Sequence, residues 1–168
     1  MTPHIDVTVA FETWNTAVVD VEEVCQRAAK EALVRSNRAA IETEISVLLC
    51  DDHTVSRLNG EYRGQTRPTN VLSFPIGNPD DGPDSHLLGD VAIAFETVAA
   101  EAASSHLAIV DHLTHLVIHG VLHLLGYDHQ ITREAEEMEA LEIEILDSLG
   151  IADPYAADPD AEEHGSPA

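Results

Sequence analysis

The chain has 168 residues, 44% of them apolar, which is enough for one globular domain with a buried core. Its 31 acidic side chains outnumber 8 basic ones, and a net charge of −23 excludes general attraction to nucleic acid through overall charge. No apolar run reaches the about 18 residues of a membrane span, and residues 1–6 lack the pattern of a signal peptide, so we expect a cytoplasmic protein without a membrane partner.

The first half of the chain predicts two strands and two helices. Residues 4–11 alternate between apolar and polar side chains, which is typical of a half-buried strand. An amphipathic helix follows from Asp20, and Glu44–Cys50 is apolar enough for a central strand. Asp51 is placed to cap a second, short helix, which we expect to end at Gly64.

The next part predicts two more strands, a loop and a helix. Residues 69–74 form the third predicted strand, and the turn formers of residues 78–84 predict a long exposed loop. Residues 91–95 alternate as a fourth strand, and residues 97–105 form an alanine-rich helix.

Two longer helices and an acidic tail complete the chain. The first, over residues 107–125, carries the histidines, and the second begins near Thr132. The glutamates of the second helix indicate a solvent-exposed face; they are Glu134, Glu136, Glu137, Glu139, Glu142 and Glu144. We predict one α+β domain over residues 1–152, with a four-stranded mixed sheet packed by helices and the histidine helix central, and a disordered acidic tail over residues 153–168.

The histidines indicate a metal site. His119 and His123 are four residues apart, so they share one face of a helix, and Gly126 provides a turn after which His129 can return to that face. Three imidazoles around one point, with a fourth position open to water, are typical of catalytic zinc. The pair His115 and His119 has the same spacing, but it lies farther from the turn.

Gly120 argues against a zinc peptidase. The spacing His-x3-His-x2-Gly-x2-His is that of the metzincin proteases, in which a glutamate follows the first histidine and acts as the general base. Here Gly120 occupies that position, so a peptidase would need another carboxylate, such as Glu96 or Asp90.

Three blocks resemble one known family. The run His119–His129 is similar to the signature of the YbeY family, the bacterial rRNA maturation factors and single-strand-specific endoribonucleases. The segments 58–75 and 88–93 resemble two further blocks of that family, in the same order, and the resemblance covers residues 5 to 150.

The resemblance implies a zinc-dependent endoribonuclease with one zinc ion per chain, held by His119, His123 and His129. It implies cleavage of single-stranded rRNA in 16S 3′-end maturation and ribosome quality control, with the small ribosomal subunit and its assembly factors as partners. It also places a functional arginine at Arg63, which would hold the phosphate. Arg67 is a second candidate for RNA binding, and Asp128 for orienting a ligand imidazole.

Two alternatives stay open: a zinc peptidase, and a ribosome assembly factor whose metal is only structural. The cause of the acidic composition also has two possible explanations. It fits a host adapted to high salt, where at ~1 M ionic strength the Debye length is about 3 Å. It also fits a merely acidic surface and tail. Lys30 is the chain's lysine among seven arginines, and this scarcity of lysine motivates the high-salt hypothesis.

Overall fold

The structure is a computed structural model that describes residues 3–36, 43–64, 69–75, 87–127 and 132–155. The predicted loop over residues 78–84 lies outside these ranges, and so do residues 156–168 of the predicted tail. The boundary at residue 152 therefore stays a prediction.

Four strands and six helices occupy the described ranges. The strands are β1 (His4–Val9), β2 (Glu44–Cys50), β3 (Val71–Pro75) and β4 (Leu87–Ala94). The helices are α1 (Thr13–Ala17), α2 (Val21–Ser36), α3 (Asp52–Arg63), α4 (Phe95–Ser104), α5 (Ile109–Leu124) and α6 (Thr132–Ser148).

The strands form the predicted four-stranded mixed sheet, in the order β1-β2-β4-β3. The three strands β1, β2 and β4 are parallel, and the edge strand β3 runs antiparallel to β4. Register places Val7 beside Val47, Val47 beside Val91, and Val91 beside Ser73, so these four side chains lie in one row across the sheet.

The two faces of the sheet are covered by different helices. Val47 and Val91 of this row belong to the main core, which contains apolar side chains of α2, α5 and α6, and Val7 packs against it. The alternate residues, such as Leu72 and Ala92, pack with Val55 of α3 in a second cluster. Helices α3 and α5 therefore lie on opposite faces of the sheet, with β3 at the edge between them.

Local signals explain the ends of α3. The Asp51 carboxylate accepts a hydrogen bond from the Thr54 backbone N–H at 2.9 Å, which satisfies an N–H that the helix leaves unpaired. Gly64 ends the helix in the left-handed conformation, with φ of 69°. Both ends are as predicted.

Two elements differ from prediction. Helix α1 was not predicted, because five residues are too short to show a helical period; buried Trp14 anchors it by donating from Nε1 to the Cys50 carbonyl at 2.9 Å. Strand β4 begins at Leu87 rather than residue 91. Gly89 and Asp90 have poor strand propensity, but pairing with neighbours on both sides includes them in the sheet.

Within the described ranges, no helix is by itself long and apolar enough to cross a membrane. The consecutive helices α4 and α5 reach the length and hydropathy of a membrane span only when taken together, and they are bent by 118° at their junction.

Candidate metal centre

Helix α5 carries four histidines along one stripe. The ring centroids of His112 and His115 are 6.3 Å apart, those of His115 and His119 are 6.3 Å apart, and those of His119 and His123 are 4.5 Å apart. Other faces of α5 hold buried residues such as Val117 and Val121 of the core. The packing of the helix therefore leaves the histidines partly exposed in one row.

His119 and His123 form the closest pair of this stripe. Their Nε2 atoms are 3.0 Å apart. Two imidazole nitrogens bound to one tetrahedral zinc ion at about 2.0–2.1 Å would be roughly 3.3 Å apart. The pair is therefore arranged to bind one cation through two Nε2 atoms with only a small adjustment.

A buried carboxylate lies on the other side of His119. Glu142 of α6 is 0% exposed, and its Oε2 is 3.3 Å from His119 Nδ1. Its Oε1 is 2.6 Å from His115 Nε2. Burial would raise the pKa of the Glu142 carboxyl, but hydrogen bonds to His115 and His119 and the charges of these histidines together lower it to about 2.

Tyr155 completes this group from beyond α6. Its hydroxyl donates to Glu142 Oε1 at 2.8 Å, and its ring packs edge-on against His115 with centroids 5.5 Å apart. Burial and the nearby Glu142 carboxylate raise the pKa of Tyr155, so the hydroxyl stays protonated and can donate.

A second metal arrangement shares His119. Ligand atoms of His115, His119 and Glu142 all lie within 4.8 Å of one another, so these three residues could hold a metal ion. In the structure, however, the 2.6 Å contact between His115 and Glu142 has the length of a strong hydrogen bond. His119 faces Glu142 with Nδ1 and His123 with Nε2, so its two nitrogens lie toward the two arrangements.

The structure describes some of the predicted site residues and not others. His119 and His123 are brought together, and Gly126 has φ of 97°, so the chain turns after α5 where the sequence predicted a turn. Arg63 is the last residue of α3, but its side chain is outside the described part of the structure. The other predicted site residues lie outside the described residues; they are Arg67, Asp128 and His129.

The remaining histidines of the stripe have other partners. His112 Nε2 is 2.8 Å from Glu101 Oε1, and Asn70 donates to the same oxygen at 3.0 Å. This group joins α4, α5 and the residue before β3. His115 contacts Glu142 and Tyr155.

The carboxylates considered for a peptidase are elsewhere. Glu96 accepts a hydrogen bond from the Asp52 backbone N–H at 2.9 Å, at the start of α3. Asp90 is adjacent to Val91 on β4 and therefore faces away from α5. It lines a cavity of about 620 Å³ between α3 and the sheet, on the face opposite the histidines.

Sequence reasoning missed Glu142 and Tyr155. Assigning Glu142 to the solvent-exposed face of its helix was wrong, since it is fully buried. The signal was its position four residues after Met138 and three before Ile145, both buried, which places it on the apolar stripe. Tyr155 gave no such signal, because its contact depends on where the chain runs after α6.

Comparisons with known proteins agree on one family. A family model described as Endoribonuclease YbeY matches residues 8–150. A protein named Endoribonuclease YbeY from Paramagnetospirillum magneticum is 48% identical over 159 residues, covering 92% of this chain and 97% of the relative. One of the same name from Parvibaculum lavamentivorans is 50% identical over 147 residues, covering 82% of this chain and 78% of the relative.

A solved structure shares the fold. The solution structure of a Thermotoga maritima protein superposes with a TM-score of 0.55 at 21% identity, covering 91% of this chain and 99% of that one. At this identity the similarity establishes the fold alone. It agrees with the α+β architecture predicted from the sequence.

Proposed function

Because the chain belongs to the Endoribonuclease YbeY family, a family of RNA-cleaving hydrolases, we propose that it is a zinc-dependent, single-strand-specific endoribonuclease of rRNA processing. Within that role, we propose that it matures the 3′ end of 16S rRNA and acts in ribosome quality control. The small ribosomal subunit and its assembly factors are then its partners. Such a substrate lies in the cytoplasm, so the proposal includes a cytoplasmic location.

The observation that carries the metal proposal is the 3.0 Å separation of His119 Nε2 and His123 Nε2. Neutral imidazoles are common zinc ligands, and a catalytic zinc site keeps one position open for water or substrate. We assign His129 as the third ligand, since the turn at Gly126 lets the chain return toward α5. This gives one zinc ion per chain, with zinc as the proposed metal.

In this proposal, the metal and three side chains have separate roles in RNA cleavage. When bound, zinc would supply a Lewis acid that activates water and polarises the phosphodiester. We assign Arg63 to holding the scissile phosphate, because its planar guanidinium matches phosphate oxygens in pairs. Arg67 contacts the RNA backbone in this proposal, and Asp128 orients a ligand imidazole.

The fold constrains the path of the RNA. Arg63 ends α3, whereas His119 and His123 lie on α5, and these helices cover opposite faces of the sheet. An RNA strand that contacts both must pass around the sheet, for example over the edge strand β3. A flexible single strand can follow such an edge more easily than a stiff duplex, which supports a preference for single-stranded RNA.

The deciding experiment combines zinc analysis with cleavage. The purified protein is incubated with single-stranded RNA and with casein, each with and without a chelator. We expect chelator-sensitive RNA cleavage, intact casein and one zinc ion per chain by elemental analysis. Cleavage of casein would indicate a peptidase, and zinc-loaded protein that leaves RNA intact would indicate an assembly factor with a structural metal.

Alanine variants test the ligand set. His119→Ala, His123→Ala and His129→Ala should each lose most zinc and RNA cleavage, because each removes one ligand. His112→Ala is the matched control on the same helix, since its partner is Glu101, and it should keep one zinc ion. His115→Ala should retain more zinc than His119→Ala, because it removes a contact to Glu142 and not a proposed ligand. Zinc loss in His115→Ala equal to that in His119→Ala would instead favour the centre formed by His115, His119 and Glu142.

A further inference from the structure

We propose that Glu142, held in place by His115 and Tyr155, is a positioning residue that fixes the orientation and tautomer of His119 for metal binding. This inference rests on the proposed zinc site at His119, His123 and His129. It assigns a role to a carboxylate on α6 and to a tyrosine beyond that helix, neither of which belongs to the proposed ligand set.

The first support is the burial of Glu142. It is 0% exposed, and a buried carboxylate is costly unless several donors compensate for its lost hydration. Three groups supply that compensation: His115 Nε2 at 2.6 Å, His119 Nδ1 at 3.3 Å and the Tyr155 hydroxyl at 2.8 Å. A carboxylate satisfied in this way is held in one orientation.

The second support is the geometry of His119. In a neutral imidazole, one nitrogen carries the proton and the other carries a lone pair. When Nδ1 donates its proton to Glu142 Oε2, the lone pair is on Nε2, which is the atom that faces His123 Nε2 at 3.0 Å. The carboxylate therefore selects the tautomer that binds metal from the His123 side.

The third support is that the two carboxylate oxygens of Glu142 have different partners. Oε1 contacts both His115 and Tyr155, at 2.6 and 2.8 Å, whereas Oε2 faces His119. The Tyr155 hydroxyl lies 3.3 Å from Oε2 as well. Tyr155 and His115 thus hold the carboxylate so that one oxygen remains directed at His119.

Tyr155 connects the end of the described chain to this centre. The chain turns after α6, where the Ile151 backbone N–H donates to the Leu146 carbonyl at 2.9 Å. The turn brings Tyr155 back over α6, and its ring packs edge-on against His115. Loss of residues beyond 152 would therefore remove a donor from Glu142.

The main test replaces the charge and keeps the shape. Glu142→Gln retains the volume and one acceptor oxygen, but its amide cannot accept protons from all three partners. We expect zinc affinity, measured by competition with a fluorescent chelator, to fall roughly 10- to 100-fold. Glu144→Gln, the same change on an exposed face of α6, is the matched control and should bind zinc like the wild type.

A second readout reports the tautomer without any metal. Nitrogen-15 NMR of the zinc-free protein should show His119 protonated on Nδ1 in the wild type and in Glu144→Gln. In Glu142→Gln that population should decrease while circular dichroism shows an unchanged helix content. A purely structural role for Glu142 would change the stability and leave the tautomer as it is.

The outcomes separate this inference from the proposed function. Wild-type zinc affinity and tautomer in folded Glu142→Gln would overturn the positioning role, with the zinc site itself intact. Complete zinc loss in Glu142→Gln together with full zinc in His129→Ala would overturn the proposed ligand set. If Glu142→Gln does not fold, Tyr155→Phe decides: weaker zinc binding supports the role, and unchanged binding overturns it.

Discussion

His112 and His119 are two histidines of the same helix that have different partners. The two rings lie on the same stripe of α5, yet His112 contacts Glu101 of α4, whereas His119 lies between His123 and Glu142. The carboxylate partner comes in each case from another helix, α4 for His112 and α6 for His119. The chemistry of each histidine on this stripe therefore depends on which helix packs beside its turn.

Arg63 is the residue on which RNA cleavage, as distinct from zinc binding, should depend. A hydrogen bond to a charged group contributes about 1.5–3 kcal/mol. If it acts mainly in the transition state, Arg63→Ala should lower the cleavage rate roughly ten- to 150-fold while fold and zinc content stay unchanged. Arg63→Lys should recover part of the rate, because it keeps the charge without the paired geometry. The measurement is cleavage of single-stranded RNA by zinc-loaded variants at matched salt.

The control for this prediction is Arg27→Ala on α2, which removes one positive charge from an exposed side chain. It should cleave at nearly the wild-type rate. An Arg63→Ala variant as active as Arg27→Ala would show that the phosphate is held elsewhere.

Helix α5 is held close to the sheet at Gly120. A Cβ atom at this position would lie 2.7 Å from Val91 Cγ1 and 3.3 Å from Ser73 Oγ. The Ser73 hydroxyl also donates to the Gly120 carbonyl at 3.0 Å. In metzincins this position carries the general base. Here the close packing of α5 against the sheet leaves no room for a side chain, which explains why the residue is glycine.

Gly120→Ala should therefore destabilise the protein. Overpacking of a buried contact costs about 1–3 kcal/mol, and the β-branched Val91 side chain cannot easily move aside. The measurement is urea unfolding of the zinc-free protein, so that metal binding does not contribute.

The double variant Gly120→Ala with Val91→Ala is the control. Removing the Val91 methyl groups should relieve the overlap, so the double variant should lose less stability than the sum of the two single changes. Simple addition of the two losses would contradict the contact.

For the molecule as a whole, the net charge of −23 is the dominant electrostatic fact. Several arginines have acidic partners on their own helices: Arg35 with Glu31 at 2.8 Å, Arg57 with Glu61 at 3.5 Å, and Arg133 with Glu137 at 3.6 Å. Such exposed pairs contribute little stability, and they reduce the positive field available to RNA. Self-repulsion among the acidic groups should therefore be strong at low salt.

Potassium chloride should screen that repulsion. Near ~1 M ionic strength the Debye length is about 3 Å, so we expect the midpoint of thermal unfolding to stay constant or rise as KCl is added. Sodium chloride at the same ionic strength should act similarly if screening is the cause. A midpoint that falls with either salt would refute adaptation to a high-salt host.

Periodicity and turn chemistry were sufficient for most of the architecture. Alternation identified β1, apolar content identified β2, and Asp51 and Gly64 placed the ends of α3. The class of the sheet followed from the arrangement of elements. The pairing of His119 with His123 was also accessible, because a four-residue spacing and a glycine turn are local properties of the chain. These features depend on interactions within a few residues.

Tertiary packing decided what local spacing left open. Five residues of α1 have too few turns for a period, and Trp14 holds that helix through tertiary contacts, among them those with Cys50 and Phe95. Glu142 and Tyr155 reach His119 and His115 across 23 and 40 residues of sequence, respectively. Charged side chains on a helix usually face water; only the packing of α6 on α5 buries this carboxylate beside two histidines and makes its ionised form favourable.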